Sequence, residues 1–300
     1  MKHRLMWERD GRLWPHREVS RFVQAGGLRW HVQVMGQGPA ALLIHGTGSS
    51  SHSWRALGPL LASRYTVVMP DLPGHAFTGS AASSRLSLPS MAAALRALLD
   101  VLGIDVHLCL GHSAGAAVAM RMVLDSSIDP RVLLAINGAF FPLNGLAGVT
   151  FPLVARMMAT TRVAPSLFAW RSSERAAVAR LIAGTGSTLD DEGTTLYATL
   201  MRDAGHVAGA LGMMAQWDLR PLTRDLARLA TPLALLVGSN DRAVPPEDAR
   251  RVIAMLPRDT PSTLTVLDGS GHLAHEEQPQ AVARWVFESM GLAPAPASSR

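Results

Sequence analysis

The chain has 300 residues, 48% of them hydrophobic and 17% charged, enough apolar material for one large core or a core with an inserted cap. Its single cysteine excludes an internal disulfide. With no Cys-x-x-Cys or His/Cys cluster, neither a metal nor a cofactor is expected. The formal net charge of +5 comes almost wholly from arginines scattered along the chain without interleaved aromatics, so no nucleic-acid partner is expected.

In chain order, a leader through about residue 20 begins with a charged stretch and has no apolar segment of secretory-signal type, which leads to the expectation of a cytoplasmic protein. Strands are predicted near 28–36 and 40–45, a helix over 53–62, a strand over 65–69 and a helix over 88–102. A strand over 106–110, a helix over 114–125 and a strand over 131–136 follow. The alternation then stops until Pro232, and the intervening residues read as helices broken by Gly and Pro. Strands over 232–237 and 262–267, with helices over 246–255 and 278–289, complete the pattern. The expected architecture is α/β: a mostly parallel sheet flanked by helices, formed by 1–138 and 223–290. An inserted helical lid covers 139–222, and the tail 291–300 is expected to be disordered.

The sequence Gly111-His112-Ser113-Ala114-Gly115 joins a predicted strand to an Ala-rich helix. A serine in so sharp a turn is held in strained backbone with its hydroxyl exposed, which makes Ser113 the candidate nucleophile. Asp241 and His272 each follow a predicted strand, so all three lie at the sheet edge where loops converge in an open parallel sheet. The strand Ala41–Ile44 runs into His45-Gly46-Thr47-Gly48, whose backbone is placed to donate to an oxyanion. Thr47 and Ala114 are the candidate donors. In these residues the chain resembles the α/β-hydrolase superfamily, over 28–290. The resemblance implies serine acyl-transfer chemistry on an ester or related bond, and His45 and His75 are expected to orient their own loops. A nucleophilic serine disfavours dehalogenase or epoxide hydrolase chemistry, which uses aspartate in this fold.

Val132 to Ala155 contains no charged residue. Three readings stay open for this stretch: the underside of a lid packed on the core, a pocket for a large apolar ligand, or a surface dipping into a membrane interface. The second reading adds His112 beside the nucleophile, then Phe140, Phe141, Met157, Met158, Phe168, Met213, Met214 and Trp217, because methionine and aromatic side chains adapt to bulky apolar ligands.

Several longer segments resemble a narrower family, the α/β-hydrolase-like accessory proteins of magnesium chelatase in bacteriochlorophyll biosynthesis. They are Trp7–Pro15, Gly26–Gly36, Asn137–Leu143, His206–Asp218 and Gly271–Glu277. The resemblance implies a role beside magnesium insertion into protoporphyrin IX, with the chelatase subunits and a porphyrin as partners; the charge-free stretch separately leaves open a peripheral membrane contact through the lid. Metal insertion needs no acyl-enzyme, so two functions stay open: a serine hydrolase of a large hydrophobic molecule, and a porphyrin carrier that keeps a hydrolase frame. For the carrier, His206 and His112 are available as axial ligands, although structural hydrogen bonds compete for both.

Overall fold

The computed structural model describes residues 4–79, 86–142 and 175–291. Met157, Met158 and Phe168 of the expected lining lie outside them, as do most of the charge-free stretch and residues 292–300 of the tail.

The leader is folded onto the body. Among its described residues are a short α-helix, α1 (Trp7–Asp10), and two 3₁₀ turns, and its Leu5 and Trp14 are buried in a small apolar cluster with Phe77, Leu196 and Leu200. Trp7 meets Phe22 and Phe77 edge-to-face, with ring centroids 5.4 and 5.0 Å apart. The chain then enters β1 (Ser20–Ala25), a strand absent from the sequence reading, and turns at Gly26-Gly27 into β2 (Leu28–Met35). Both turn glycines have positive φ, 57° and 76°, a conformation that side chains resist. β1 was missed because it lies at the sheet edge and is mostly half-exposed, so it lacks an apolar run.

The remaining strands are β3 (Ala40–Ile44), β4 (Thr66–Pro70), β5 (Val106–His112), β6 (Val132–Ile136), β7 (Leu233–Gly238) and β8 (Ser262–Leu267). Among the described residues they form one eight-stranded sheet in the order β1-β2-β4-β3-β5-β6-β7-β8. Only the β1–β2 and β2–β4 pairings are antiparallel. The central strands read as near-continuous apolar runs because helices cover both faces, and every residue of β6 and β7 is buried.

Successive side chains of each strand enter opposite cores. Leu42 and Ile44 face the layer that holds α3 (Leu88–Leu102) and α4 (Ala114–Leu124), whereas Ala41 and Leu43 face α2 (Leu57–Ala62). Each fully buried Leu or Ile contributes about 1.5–3 kcal/mol, which pins strand register: a slip of one residue would exchange the two cores.

Between β6 and β7 lie α5 (Arg175–Gly184), α6 (Asp191–Met201), α7 (Ala204–Ala215) and α8 (Arg220–Asp225). Two of these helices start on an aspartate cap: Asp190 accepts from Gly193 N–H at 2.7 Å, and Asp203 from His206 N–H at 2.8 Å. Asp203 also accepts from the backbone N–H of Leu5, so leader and α7 share one carboxylate. After β7 come α9 (Glu247–Met255), α10 (Ala274–Glu277) and α11 (Pro279–Ser289). α11 completes the core on the α2 side. Among the described residues, no helix is long and apolar enough to cross a membrane.

Candidate active site

Ser113 sits between the last residue of β5 and the first of α4 with φ 52° and ψ −120°, a strained conformation for a residue with a side chain. The neighbouring glycines make the turn possible. A Cβ on Gly115 would lie 2.1 Å from the Ile44 carbonyl oxygen, and one on Gly111 would lie 2.4 Å from the Ala116 Cα. The strained backbone is held by hydrogen bonds, with Ser113 N–H donating to Ile136 O at 3.0 Å and Ser113 O accepting from Ala116 and Ala139, both at 3.1 Å.

His272 follows β8, and its Nδ1 lies 2.8 Å from Asp241 Oδ2. The second carboxylate oxygen of Asp241 accepts from Ala243 N–H at 2.7 Å and Val244 N–H at 2.9 Å, which fixes the carboxylate plane. The carboxylate accepts a hydrogen bond from His272 Nδ1–H, which leaves Nε2 as the unprotonated nitrogen. The backbone of His272 is held separately: its carbonyl oxygen accepts from His112 Nε2 at 2.8 Å and from Asn137 Nδ2 at 2.7 Å. Asn137 also donates to Gly271 O at 3.0 Å and accepts from Gly238 N–H at 2.8 Å, so one buried amide joins the ends of β6, β7 and the His272 loop. No local sequence pattern marks Asn137 for this role, because its partners lie on distant strands and loops.

Ser113 and His272 line one cavity of about 220 Å³ with Gly46, Thr47, Gly48 and His112. Its apolar wall comes from Val178, Leu181 and Ile182 of α5, Met201 of α6, and Leu273, with the Tyr197 ring among them. Among the described residues, no Lys, Arg, Asp or Glu lines it. Ala114 lies at the N-terminus of α4 beside Ser113, where its N–H belongs to the unpaired first turn of the helix.

Several residues expected in the lining stand elsewhere. Phe140 is buried in the α3/α4 core, packed so closely on Gly138 that a Cβ there would lie 2.3 Å from its ring. Phe141 packs at the edge of the same core under the Arg251 guanidinium, 4.0 Å from the ring centroid. Trp217 packs against that core and Met214 against Val207 and Leu211. Apolar composition drew attention to these side chains, but it does not separate core from pocket. Met213 is buried and touches the site indirectly, as the acceptor for Thr47 Oγ1 at 3.4 Å. The actual wall carried a readable signal in Val178, Leu181, Ile182 and Thr185, which recur at helical spacing in a segment otherwise rich in Ala and Arg.

The histidines near the site are held neutral by burial. His45 and His75 are each pushed down to about 3 and His206 to about 4, in every case first by desolvation. His45 accepts from Leu72 N–H at Nε2, 2.9 Å away, and donates from Nδ1 to Gly46 O at 2.8 Å, so it links its own loop to the one after β4. His206 uses both ring nitrogens: Nδ1 accepts from Ala76 N–H at 3.0 Å, and Nε2 donates to Gly48 O at 3.1 Å. Neither nitrogen is free to ligate a metal in this arrangement. Behind the pocket, Tyr197 Oη donates to Glu276 at 2.8 Å and contacts Ser49 Oγ at 3.1 Å, while Arg55 pairs with the same carboxylate. Burial pushes Glu276 up to about 7 against the pull of Arg55.

The sequence profile of the alpha/beta hydrolase family matches residues 41–285. The chain belongs to the alpha/beta hydrolase family. It is 40% identical over 265 residues to the magnesium-chelatase 30 kDa subunit of Rhodobacter capsulatus, an alignment covering 88% of this chain and 91% of that one. It is also 27% identical to a 2-hydroxy-6-oxo-2,4-heptadienoate hydrolase of Pseudomonas putida, over 90% and 95% of the two chains. An alpha/beta hydrolase fold protein from Burkholderia ambifaria superposes with a TM-score of 0.75 over 96% of this chain and all of that one; at 23% identity it speaks for the fold alone.

Proposed function

We propose that this member of the alpha/beta hydrolase family serves as a magnesium-chelatase accessory protein, and that Ser113, His272 and Asp241 perform acyl transfer on an uncharged apolar ester or related compound. The likeness to the R. capsulatus subunit over most of both chains supports the accessory role. The chemical reading is carried by one observation: a histidine fixed by a buried carboxylate at 2.8 Å faces the same apolar cavity as a serine in a strained strand-to-helix turn.

In this reading His272 Nε2 takes the Ser113 proton as the hydroxyl attacks the acyl carbon, and returns it to the leaving group. Asp241 keeps the imidazole in the required tautomer and stabilises its charged form. The Thr47 and Ala114 N–H groups receive the developing oxyanion, each worth about 3 kcal/mol. Water then releases the acyl group from Ser113, activated by the same histidine. α5 to α7 act as the lid, and the apolar wall of Val178, Leu181, Ile182 and Met201 favours an apolar acyl or alcohol group.

A porphyrin carrier is the second reading, favoured by the R. capsulatus likeness because magnesium insertion itself calls for no acyl-enzyme. The two separate in one paired experiment. Wild type and Ser113→Ala are treated with a fluorophosphonate probe and a panel of medium-chain esters, and both are titrated with protoporphyrin IX. Labelling and turnover lost only in Ser113→Ala support the hydrolase. Porphyrin binding by both proteins, with neither labelled, supports the carrier.

A further inference from the structure

Helix α7 presents three residues of one face, His206, Gly209 and Met213, to the loops that hold the candidate oxyanion donor. The spacing i, i+3, i+7 places them in line along the helix. His206 donates from Nε2 to the carbonyl oxygen of Gly48, the residue after Thr47, at 3.1 Å. Met213 accepts from the Thr47 hydroxyl at 3.4 Å. Between them Gly209 lies directly on Gly74, so closely that a Cβ would sit 2.0 Å from the Gly74 carbonyl oxygen. The helix thus touches the oxyanion loop at two successive residues, with no side chain between its backbone and the loop after β4.

The tautomer of His206 is set by its surroundings. Ala76 N–H points at Nδ1, 3.0 Å away, so the proton stands on Nε2 and faces Gly48 O. Ala76 itself has φ 43°, a strained left-handed position that this contact helps to hold. His206 is buried, yet its two bonds are directional and both end on backbone of other elements. An apolar residue would fill the same space and fix neither loop. The start of α7 is anchored as well, through Asp203, which accepts from His206 N–H and from Leu5 N–H in the leader.

We propose that this face of α7 is the device that sets the oxyanion loop, with His206 as the positioning residue for attack by Ser113. His206 does not touch substrate; it holds the Gly48 carbonyl, and hence the preceding Thr47 N–H, in the orientation that meets developing negative charge. The inference rests on the acyl-transfer reading above. A donor displaced by a fraction of an ångström loses much of its effect in the transition state while ground-state binding in the apolar cavity is preserved.

The test uses the full chain as wild type, Ser113→Ala, His206→Gln, His206→Phe and Met213→Leu. Each is assayed for kcat and KM on p-nitrophenyl butyrate and for the rate of fluorophosphonate labelling, with thermal unfolding followed by circular dichroism. Gln can carry a donor to the position of Nε2, whereas Phe keeps bulk alone. His206→Phe is expected to lower kcat and the labelling rate about 10- to 100-fold with KM within about threefold of wild type. His206→Gln is expected to recover most of that loss, and Met213→Leu to lose about threefold in kcat at constant KM. A wild type that labels and turns over, with Phe and Gln variants equal to it, overturns the inference and leaves the acyl-transfer reading standing. Gln and Phe variants that fall together, in step with their melting temperatures, reduce His206 to a core residue and also overturn it. A wild type as inert as Ser113→Ala removes the acyl-transfer reading and this inference with it.

Discussion

Asn137 Nδ2 donates to the His272 carbonyl oxygen at 2.7 Å, tying the end of β6 to the loop that carries the candidate base. The same amide holds Gly271 O and Gly238 N–H, so the histidine backbone is fixed independently of the Asp241 contact to its ring. Asn137→Asp keeps the acceptor for Gly238 but turns a carboxylate oxygen toward two carbonyl oxygens in a buried site. A loss of about 2–4 kcal/mol is expected, read as a lower denaturant midpoint. Labelling of Ser113 should fall in the fraction that stays folded.

Asp241→Asn tests the other restraint on His272. The Oδ1 contacts to Ala243 and Val244 can persist, but an amide in place of Oδ2 no longer requires the imidazole proton on Nδ1. Labelling by a fluorophosphonate should drop about 10³- to 10⁴-fold with little change in melting temperature. Stopped or long-incubation labelling kinetics measure it directly.

Much of the frame was legible from sequence because its signals are local. β6 and β7 are unbroken apolar runs, and α3 begins after Ser87 and ends at Gly103, whose φ is 64°. Ser113 and Asp241 could be placed because they follow such largely apolar runs, whereas His272 follows β8, whose Leu and Val residues are interspersed with Ser and Thr. Asn137 could not be placed, since its partners lie 101 and more residues away and follow no pattern of spacing. The cavity wall has a helical stripe of its own, but bulkier apolar residues elsewhere outweigh it. Phe140 and Trp217 looked like a ligand surface by their chemistry, whereas the stripe on α5 is small and set among Ala and Arg. Burial depends on what each face meets in three dimensions, and a helix pattern alone does not name its partner.

Gly115→Ala places a methyl group against backbone that cannot rotate away. The added Cβ would lie 2.1 Å from Ile44 O and 2.5 Å from His45 O, both on the strand and loop that lead to Thr47. Separation of α4 from β3 is the only relief, and it disrupts the turn at Ser113. The variant should lose about 3 kcal/mol or more and all measurable labelling, which denaturant titration and the probe assay report together.

Acid should destabilise the fold well above the range where surface carboxylates titrate. His45 and His75 take up a proton only near pH 3 when folded and His206 near pH 4, against an ordinary value of about 6.5 in the unfolded chain. Between those limits the unfolded state binds more protons, so stability falls as pH drops from about 6.5 toward 4. Each of the three contributes about 1.4 kcal/mol per pH unit over that window. Glu276 acts in the opposite sense between its ordinary value and about 7, because its folded form keeps the proton longer. Denaturant midpoints measured from pH 7.5 to 5 should decline, and His75→Gln should flatten the slope by about one proton.

The sheet order has a consequence for how the chain matures. The loop bearing Asp241 and the loop bearing His272 leave β7 and β8, the last strands made, whereas Ser113 leaves β5 far earlier in the chain. A nascent or clipped chain lacking the final third therefore carries a serine with no base beside it. Because the pairings that complete the group span such long stretches, reactivity should appear late in refolding, after secondary structure has formed. Appearance of a labelled serine would then serve as a clock for completed assembly.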